Sequence, residues 1–173
     1  MTKKQTKKKV AKKRSDKPRR KFKDTEHTCV LLDALEAPDD IDSLKEEMEE
    51  WRDNLENGNL GSTQKFEDVS QAADELESLR SEIDDSVDEL KRALQEAGLD
   101  DLLRKEIKFI DRRPYGRSPA RWLRLENACA SLHAALAVLE REVPESEKEL
   151  HAQISNVAAA LDAASSVSFP EMY

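Results

Sequence analysis

The sequence has few of the residues that β-rich, membrane-spanning or disulfide-bonded proteins need. Aromatic residues make up 5% of its 173 residues, and there are only four glycines. Sheets favour β-branched and aromatic side chains, so this scarcity predicts an all-α protein. No apolar run approaches the roughly 20 residues that cross a bilayer, and the lysine-rich start precedes no apolar signal-peptide core. We therefore expect a cytoplasmic protein without membrane contact.

Candidate catalytic and metal-binding patterns are also scarce. Cys29 and Cys129 stand far apart without a CxxC or Cys/His ligand spacing, which argues against zinc and against a disulfide framework. His27, His133 and His151 fall in three different predicted helices. There is no glycine-rich phosphate loop and no GxSxG motif. We predict no catalytic residue, no metal site, no cofactor and no enzymatic activity.

Charge divides the chain into two unequal parts. Residues 1–23 carry 13 Lys or Arg against one Asp, whereas the remainder carries 16 against 36 Asp or Glu. A segment so charged and so poor in apolar residues is expected to be disordered when free. The sequence thus predicts a disordered basic arm over 1–23, an acidic helical bundle over 24–168 and a tail over 169–173.

Runs of cations in this arm suit electrostatic contact with nucleic-acid phosphates, which needs no fixed fold. The alternatives are that the arm lies on its own acidic body, or that it serves as a targeting address. Nine residues are the candidate nucleic-acid contacts: Lys7, Lys8, Lys9, Lys12, Lys13, Arg14, Arg19, Arg20 and Lys21.

Heptad spacing of apolar residues predicts helices that pack in the manner of a coiled coil. One such stripe runs from Ile41 to Leu55 and includes Trp51. A longer one runs from Val69 to Ala97 and is interrupted only by Arg80. The glycines within 57–61 predict a turn that makes these two helices antiparallel, and Gly98 predicts a left-handed cap.

Four further helices are predicted on either side of these two. Shorter ones are expected at about 26–36 and 99–112, before and after the long stripes. Ser118 and Pro119 look like a helix start, and the stripe from Trp122 to Val143 ends before Pro144. A last helix follows near Pro144. Such stripes must pack on one another or on a second copy, so the fold class predicted is an antiparallel helical bundle.

A second cluster of positive charge lies between Arg104 and Arg124, beside Phe109, Tyr115 and Trp122. Arginines beside aromatic rings can stack on bases or hold phosphates. The favoured interpretation is structural, with core aromatics flanked by partners for Asp and Glu. The candidate secondary anion patch consists of Arg112, Arg113, Arg117, Arg121 and Arg124.

Two segments resemble proteins of a known origin. The first is Glu49-Glu50-Trp51-Arg52-Asp53-Asn54-Leu55, followed by Ser62-Thr63-Gln64-Lys65-Phe66-Glu67, and the second is the ending Phe169-Pro170-Glu171-Met172-Tyr173. Together they are similar to small helical proteins of bacteriophages and related mobile elements, which usually have Gly at the position of Glu171. The resemblance implies a bacterial host and carries over no activity.

The leading hypothesis is a non-enzymatic, phage-type accessory protein. Its helices would self-associate or hold a protein partner, and its arm would contact nucleic acid. The alternative is an acidic scaffold or decoy that binds a basic protein, with the arm screening the acidic face. Its carboxylates are those around Glu46, Glu47, Glu49 and Glu50 and around Asp84, Asp85, Asp88 and Glu89.

Overall fold

A computed structural model describes residues 22–36, 39–115 and 118–170. Most of them are helical, as predicted, but the all-α fold class is wrong because two strands pair into a small antiparallel sheet. In chain order the elements are β1 (Phe22–Val30), α1 (Leu31–Ala34), α2 (Asp39–Asn57), α3 (Gln64–Glu96), a 3-10 helix (Asp100–Arg104), β2 (Glu106–Pro114), α4 (Arg121–Glu142) and α5 (Lys148–Ala164).

Both strands replace helices that the sequence predicted. The first five residues of the expected helix at 26–36 belong to β1 and only residues 31–34 are helical, whereas the expected helix at 99–112 is the 3-10 helix followed by β2. His27 lies opposite Phe109 in the ladder, and their rings stack with centroids 5.2 Å apart. Cys29 lies opposite Ile107 on the same face. A short apolar run fits a helix or a strand, and here the remote partner decided between them.

Helices α2 and α3 run antiparallel, as the turn between them predicts. Asp42 near the start of α2 pairs with Arg80 in the middle of α3, whereas Trp51 late in α2 lies under Lys65 at the start of α3. Asn59 in the turn has a φ of 59°, a left-handed conformation that Asn tolerates better than most residues. The apolar side chains of α2 and α3 pack into one core that α4 and α5 share.

Arg80 sits where the apolar stripe of α3 is interrupted. Its Nε donates to Oδ2 of Asp42 at 3.2 Å, and its Nη1 donates to Oδ1 of Asp84. Partial burial lowers the pKa of Arg80, but the two carboxylates outweigh burial and raise it overall. The cation therefore ties α3 to α2 at the edge of the core.

Two helix ends of α3 follow the sequence signals. The hydroxyl of Thr63 accepts a hydrogen bond from the backbone N–H of Phe66, which caps the first turn. Gly98, just beyond the last turn, has a φ of 68°. Glycine adopts this left-handed conformation without steric cost, so the expected cap is confirmed.

Helix α4 departs from the expectation at its start. Its N-cap is Ala120, without a side-chain cap, so the capping role expected of Ser118 is wrong. Trp122 was expected to be buried as part of the apolar stripe of this helix, but it is 54% exposed. Seven residues further on, Cys129 is buried, and burial raises the pKa of its thiol to about 11. The helix ends at Glu142, before Pro144 as expected.

Helix α5 and the segment after it cover the other side of the core. The helix begins at Lys148 rather than near Pro144. Leu150, Ile154 and Leu161 are buried among the residues of α3 and α4. Phe169 packs against the edge of this core, and residues 171–173 of the expected tail lie outside the described residues. None of the helices described is long and apolar enough to cross a membrane.

Candidate functional site

The two α4 arginines of the secondary anion patch both bind one carboxylate of α2. Arg121 donates from Nε to Oε1 of Glu47 at 2.8 Å, and Arg124 donates from Nη1 to Oε2 at 2.6 Å. Partial burial raises the pKa of Glu47, but the hydrogen bonds and charges of both arginines more than offset it, so the pKa is lowered. An incoming anion would have to compete with this carboxylate for both guanidinium groups.

Arg121 also packs on an aromatic ring. Its Cζ lies 4.9 Å from the ring centre of Trp51, and Nζ of Lys65 lies 5.2 Å from the same ring. Cations over a tryptophan face are held by the ring quadrupole. Together with Glu47, these contacts fix the start of α4 on α2, which gives Arg121 a structural role.

The end of β2 is held on α4 by one asparagine. The backbone N–H of Arg112 donates to Oδ1 of Asn127 at 2.9 Å, and Nδ2 of Asn127 donates to the carbonyl of Arg112 at 2.9 Å. The Arg112 side chain lies 3.7 Å from Glu126 and is 59% exposed. The two strands form a β1–β2 ribbon, and this pairing sets the position of its end relative to the first turns of α4.

The two remaining residues of the secondary anion patch are Arg113 and Arg117. Arg113 is exposed and makes no ion pair with any residue that the structure describes. Its direct cross-strand neighbour is Lys23, a second exposed cation. Like charges directly opposite each other destabilise a sheet, so this end of the ribbon favours a counter-anion. Arg117 lies outside the described residues.

Three exposed aromatic side chains surround an open cleft beside these cations. Phe22 is 40% exposed, Tyr115 58% and Trp122 54%. The cleft has a volume of about 710 Å³, and its other lining residues are Lys23, Asp24, Arg112, Leu123 and Glu126. We call it the aromatic cleft. It is formed where the start of β1, the end of β2 and the start of α4 meet.

A smaller and more apolar groove adjoins the aromatic cleft on the far side of Trp122. It has a volume of about 310 Å³ and lies between α4 and the end of α5. Its apolar lining residues include Leu125, Leu161, Val167 and Phe169. Trp122 is therefore shared by two surface depressions.

The nine arm cations, Lys7 to Lys21, lie outside the described residues. The expected bounds of the arm, 1–23, are wrong at the end, because Phe22 and Lys23 belong to β1, and Phe22 lines the aromatic cleft. Sequence reasoning placed Tyr115 and Trp122 beside the arginine-rich segment but missed Phe22 as their neighbour. Only the strand pairing of Phe22 with Pro114 brings it there.

The acidic residues singled out in the sequence are mostly exposed on α2 and α3. Glu46, Glu50, Asp85 and Asp88 face solvent, whereas Glu47 is engaged by α4. The described residues contain no group of three or more His, Cys, Asp or Glu that could hold a metal ion.

No family model matches this chain, and neither a curated protein nor a solved structure is significantly similar to it.

Proposed function

We propose that this protein is a non-enzymatic accessory protein that contacts nucleic acid through its basic arm. The observation that carries the proposal is the division of charge, with 13 Lys or Arg against one Asp in residues 1–23 and a strongly acidic remainder. A cationic segment of this kind binds phosphates by releasing counterions from the nucleic acid, and sequence plays little part.

The end of the β1–β2 ribbon, in the described part of the chain, also supports the proposal. Lys23 and Arg113 face each other across the ladder without a carboxylate partner among the described residues. A phosphate near both would relieve their repulsion. Lys21, the last of the nine arm cations, stands two residues before Lys23, so the arm cations lead directly to this pair in the sequence.

The helices have a different part in the proposal. We infer that α2 to α5 act as an antiparallel bundle with coiled-coil-like packing, which serves self-association or a protein partner. The heptad stripes of α2 and α3 support this interpretation. The likeness of two segments to phage-encoded helical proteins supports a phage-type role in the cytoplasm of a bacterial host.

The test is a fluorescence-anisotropy titration of labelled DNA with the full-length chain at several salt concentrations. One variant replaces the nine arm cations by Gln, and a matched control exchanges Lys and Arg at the same nine positions, which keeps the charge. We expect the parent and the control to bind with a steep salt slope, about −0.9 per phosphate neutralised on duplex. The Gln variant should bind weakly or not at all. Equal binding by the Gln variant would sink the proposal.

The rival function is an acidic scaffold or decoy for a basic protein. It is favoured by the solvent-exposed carboxylates of α2 and α3, among them Glu46, Glu50 and Asp85. In that case the arm competes with the partner for the acidic face. The Gln variant should then bind a labelled polylysine probe more tightly than the parent does, whereas the leading proposal predicts no gain.

A further inference from the structure

Exposed aromatic side chains are concentrated at one place on this protein. Every aromatic residue that is exposed in the described part of the chain lines the aromatic cleft, namely Phe22, Tyr115 and Trp122. The other exposed large apolar residues there are the aliphatic Leu32, Leu60 and Ile110. Single exposed apolar residues are ordinary, but a cluster of rings marks a binding surface.

Three separate elements hold these rings in place. Phe22 opens β1 opposite Pro114, and Tyr115 directly follows β2. Trp122 is the second residue of α4, whose position is fixed by the hydrogen bonds between Asn127 and Arg112. The cleft they surround, about 710 Å³, has the size of sites that hold small organic groups.

The charges around the cleft indicate that rings, and not cations, are what the cleft itself offers to a ligand. Lys23 and Arg112 in the lining are balanced by Asp24 and Glu126, so the cleft alone has little attraction for a polyanion. The attraction for phosphates comes from the proposed function, because residues 1–21, which precede Phe22 of the cleft in the sequence, carry 12 Lys or Arg against one Asp. At physiological salt, acidic groups of the body that lie more than about 8–10 Å from a bound phosphate repel it only weakly.

Unpaired nucleic-acid bases match this combination. In a duplex each base face is covered by its neighbours, whereas in a single strand the faces are open to protein rings. Proteins that bind single strands without sequence preference pair a basic track for the backbone with aromatic side chains on which bases stack. We propose that the aromatic cleft stacks unpaired bases of a single-stranded nucleic acid. This inference rests on the proposed function and deepens it.

The experiment uses the full-length chain with a labelled oligo-dT and a duplex of equal length, compared by anisotropy at the same salt concentrations. The parent should bind the single strand more tightly, by about 10-fold or more. Trp122→Leu removes the ring but keeps an apolar side chain, and we expect it to weaken single-strand binding about 5- to 100-fold. Duplex binding should stay unchanged. Trp122→Phe should restore most of the loss.

Two controls keep the result free of folding effects. Ile110→Ala changes an apolar side chain that is 52% exposed but lies outside the cleft, and it should leave both affinities unchanged. Stacking also quenches tryptophan fluorescence. The chain has only two tryptophans, so the quenching caused by oligo-dT in the parent should disappear in Trp122→Phe.

The outcomes separate the inference from the function on which it rests. If the parent binds duplex and single strand alike and Trp122→Leu changes neither, the stacking inference is overturned and the arm proposal stands. If the parent binds neither nucleic acid near physiological salt, both are overturned and the occupant of the cleft is to be sought among protein segments. A tighter single-strand complex that Trp122→Leu weakens supports both.

Discussion

The helical core and the β1–β2 ribbon bury their apolar residues to very different extents. In α3, the apolar side chains of the stripe from Val69 to Leu94 are buried against α2 and α5. In the ribbon only Ile107 is buried, and Ile110 is 52% exposed. The ribbon therefore depends on backbone pairing and on its contacts with α4. It also presents to solvent the ring of Phe22 and the cations Lys23 and Arg113, which make no ion pair with a described residue.

This difference indicates where stability and where binding reside. A buried leucine loses its whole contact surface when it is truncated, whereas an exposed ring at the ribbon end loses little. Residues that are not needed for packing are free to serve a ligand. Substitutions in the core should therefore change stability most, and substitutions at the ribbon end least.

Truncation in the core should have the largest effect. Leu76 of α3 is fully buried, and Leu76→Ala should lower the free energy of unfolding by about 2–5 kcal/mol because it leaves a cavity. Leu60 is 47% exposed in the turn before α3, and Leu60→Ala should cost no more than about 0.5 kcal/mol. Urea denaturation followed by circular dichroism measures both. Equal losses would contradict the assignment of α3 to the core.

The ion-pair cluster that joins α4 to α2 should come next. Glu47→Gln leaves Arg121 and Arg124 without their shared carboxylate, and partial exposure limits the cost to about 1–2 kcal/mol. The matched control is Glu46→Gln, because Glu46 is exposed and makes no ion pair with a described residue. Urea unfolding at neutral pH should separate the two variants, and identical stabilities would argue against the structural role of these arginines.

The same carboxylate predicts a pH dependence. The pKa of Glu47 is lowered in the folded protein, below the value near 4.3 of an unfolded chain. Its contribution is therefore complete above the unfolded pKa and is lost as pH falls through the folded pKa. The stability gap between the parent and Glu47→Gln should be constant at neutral pH and shrink in acid below about pH 4. A gap that grows on acidification would reverse the assigned sign.

Loosening the end of the ribbon should have the smallest effect on overall stability. Asn127→Ala removes both hydrogen bonds to the backbone of Arg112 and should cost about 1 kcal/mol. Hydrogen exchange of the Arg112 amide should accelerate at the same time. Asn156→Ala is the control, since Asn156 donates only to an exposed side chain of α5. Unchanged exchange at Arg112 would mean that other contacts hold the ribbon end.

Residues whose environment is decided nearby in the chain were predictable. The stripes of α2 and α3 and the left-handed Gly98 follow from spacing and local conformation. The strands were not, because Val30 and Ile107 fit an amphipathic helix as well as a strand until their partner is known. Trp122 was misjudged for a related reason. It keeps the heptad spacing of α4, but no element among the described residues covers its side of the first turn, and it is 54% exposed.

The candidate site was predictable in its chemistry but not in its geometry. The sequence identifies the basic arm and an arginine-rich segment with aromatic residues. It does not say that Glu47 engages Arg121 and Arg124, or that Arg113 has another cation as its cross-strand neighbour. Ion pairs between remote segments depend on which helix faces meet, and that is set by packing.

The amino-acid sequence by itself determined the division of charge and the mostly helical content, because composition and heptad spacing act within a few turns of chain. Only the tertiary structure decided that Phe22, Tyr115 and Trp122 line one cleft. The reason is physical. Phe22 lies more than 90 residues before Tyr115 and Trp122 in the chain, and it meets them because β1 pairs with β2 and β2 is hydrogen-bonded to α4.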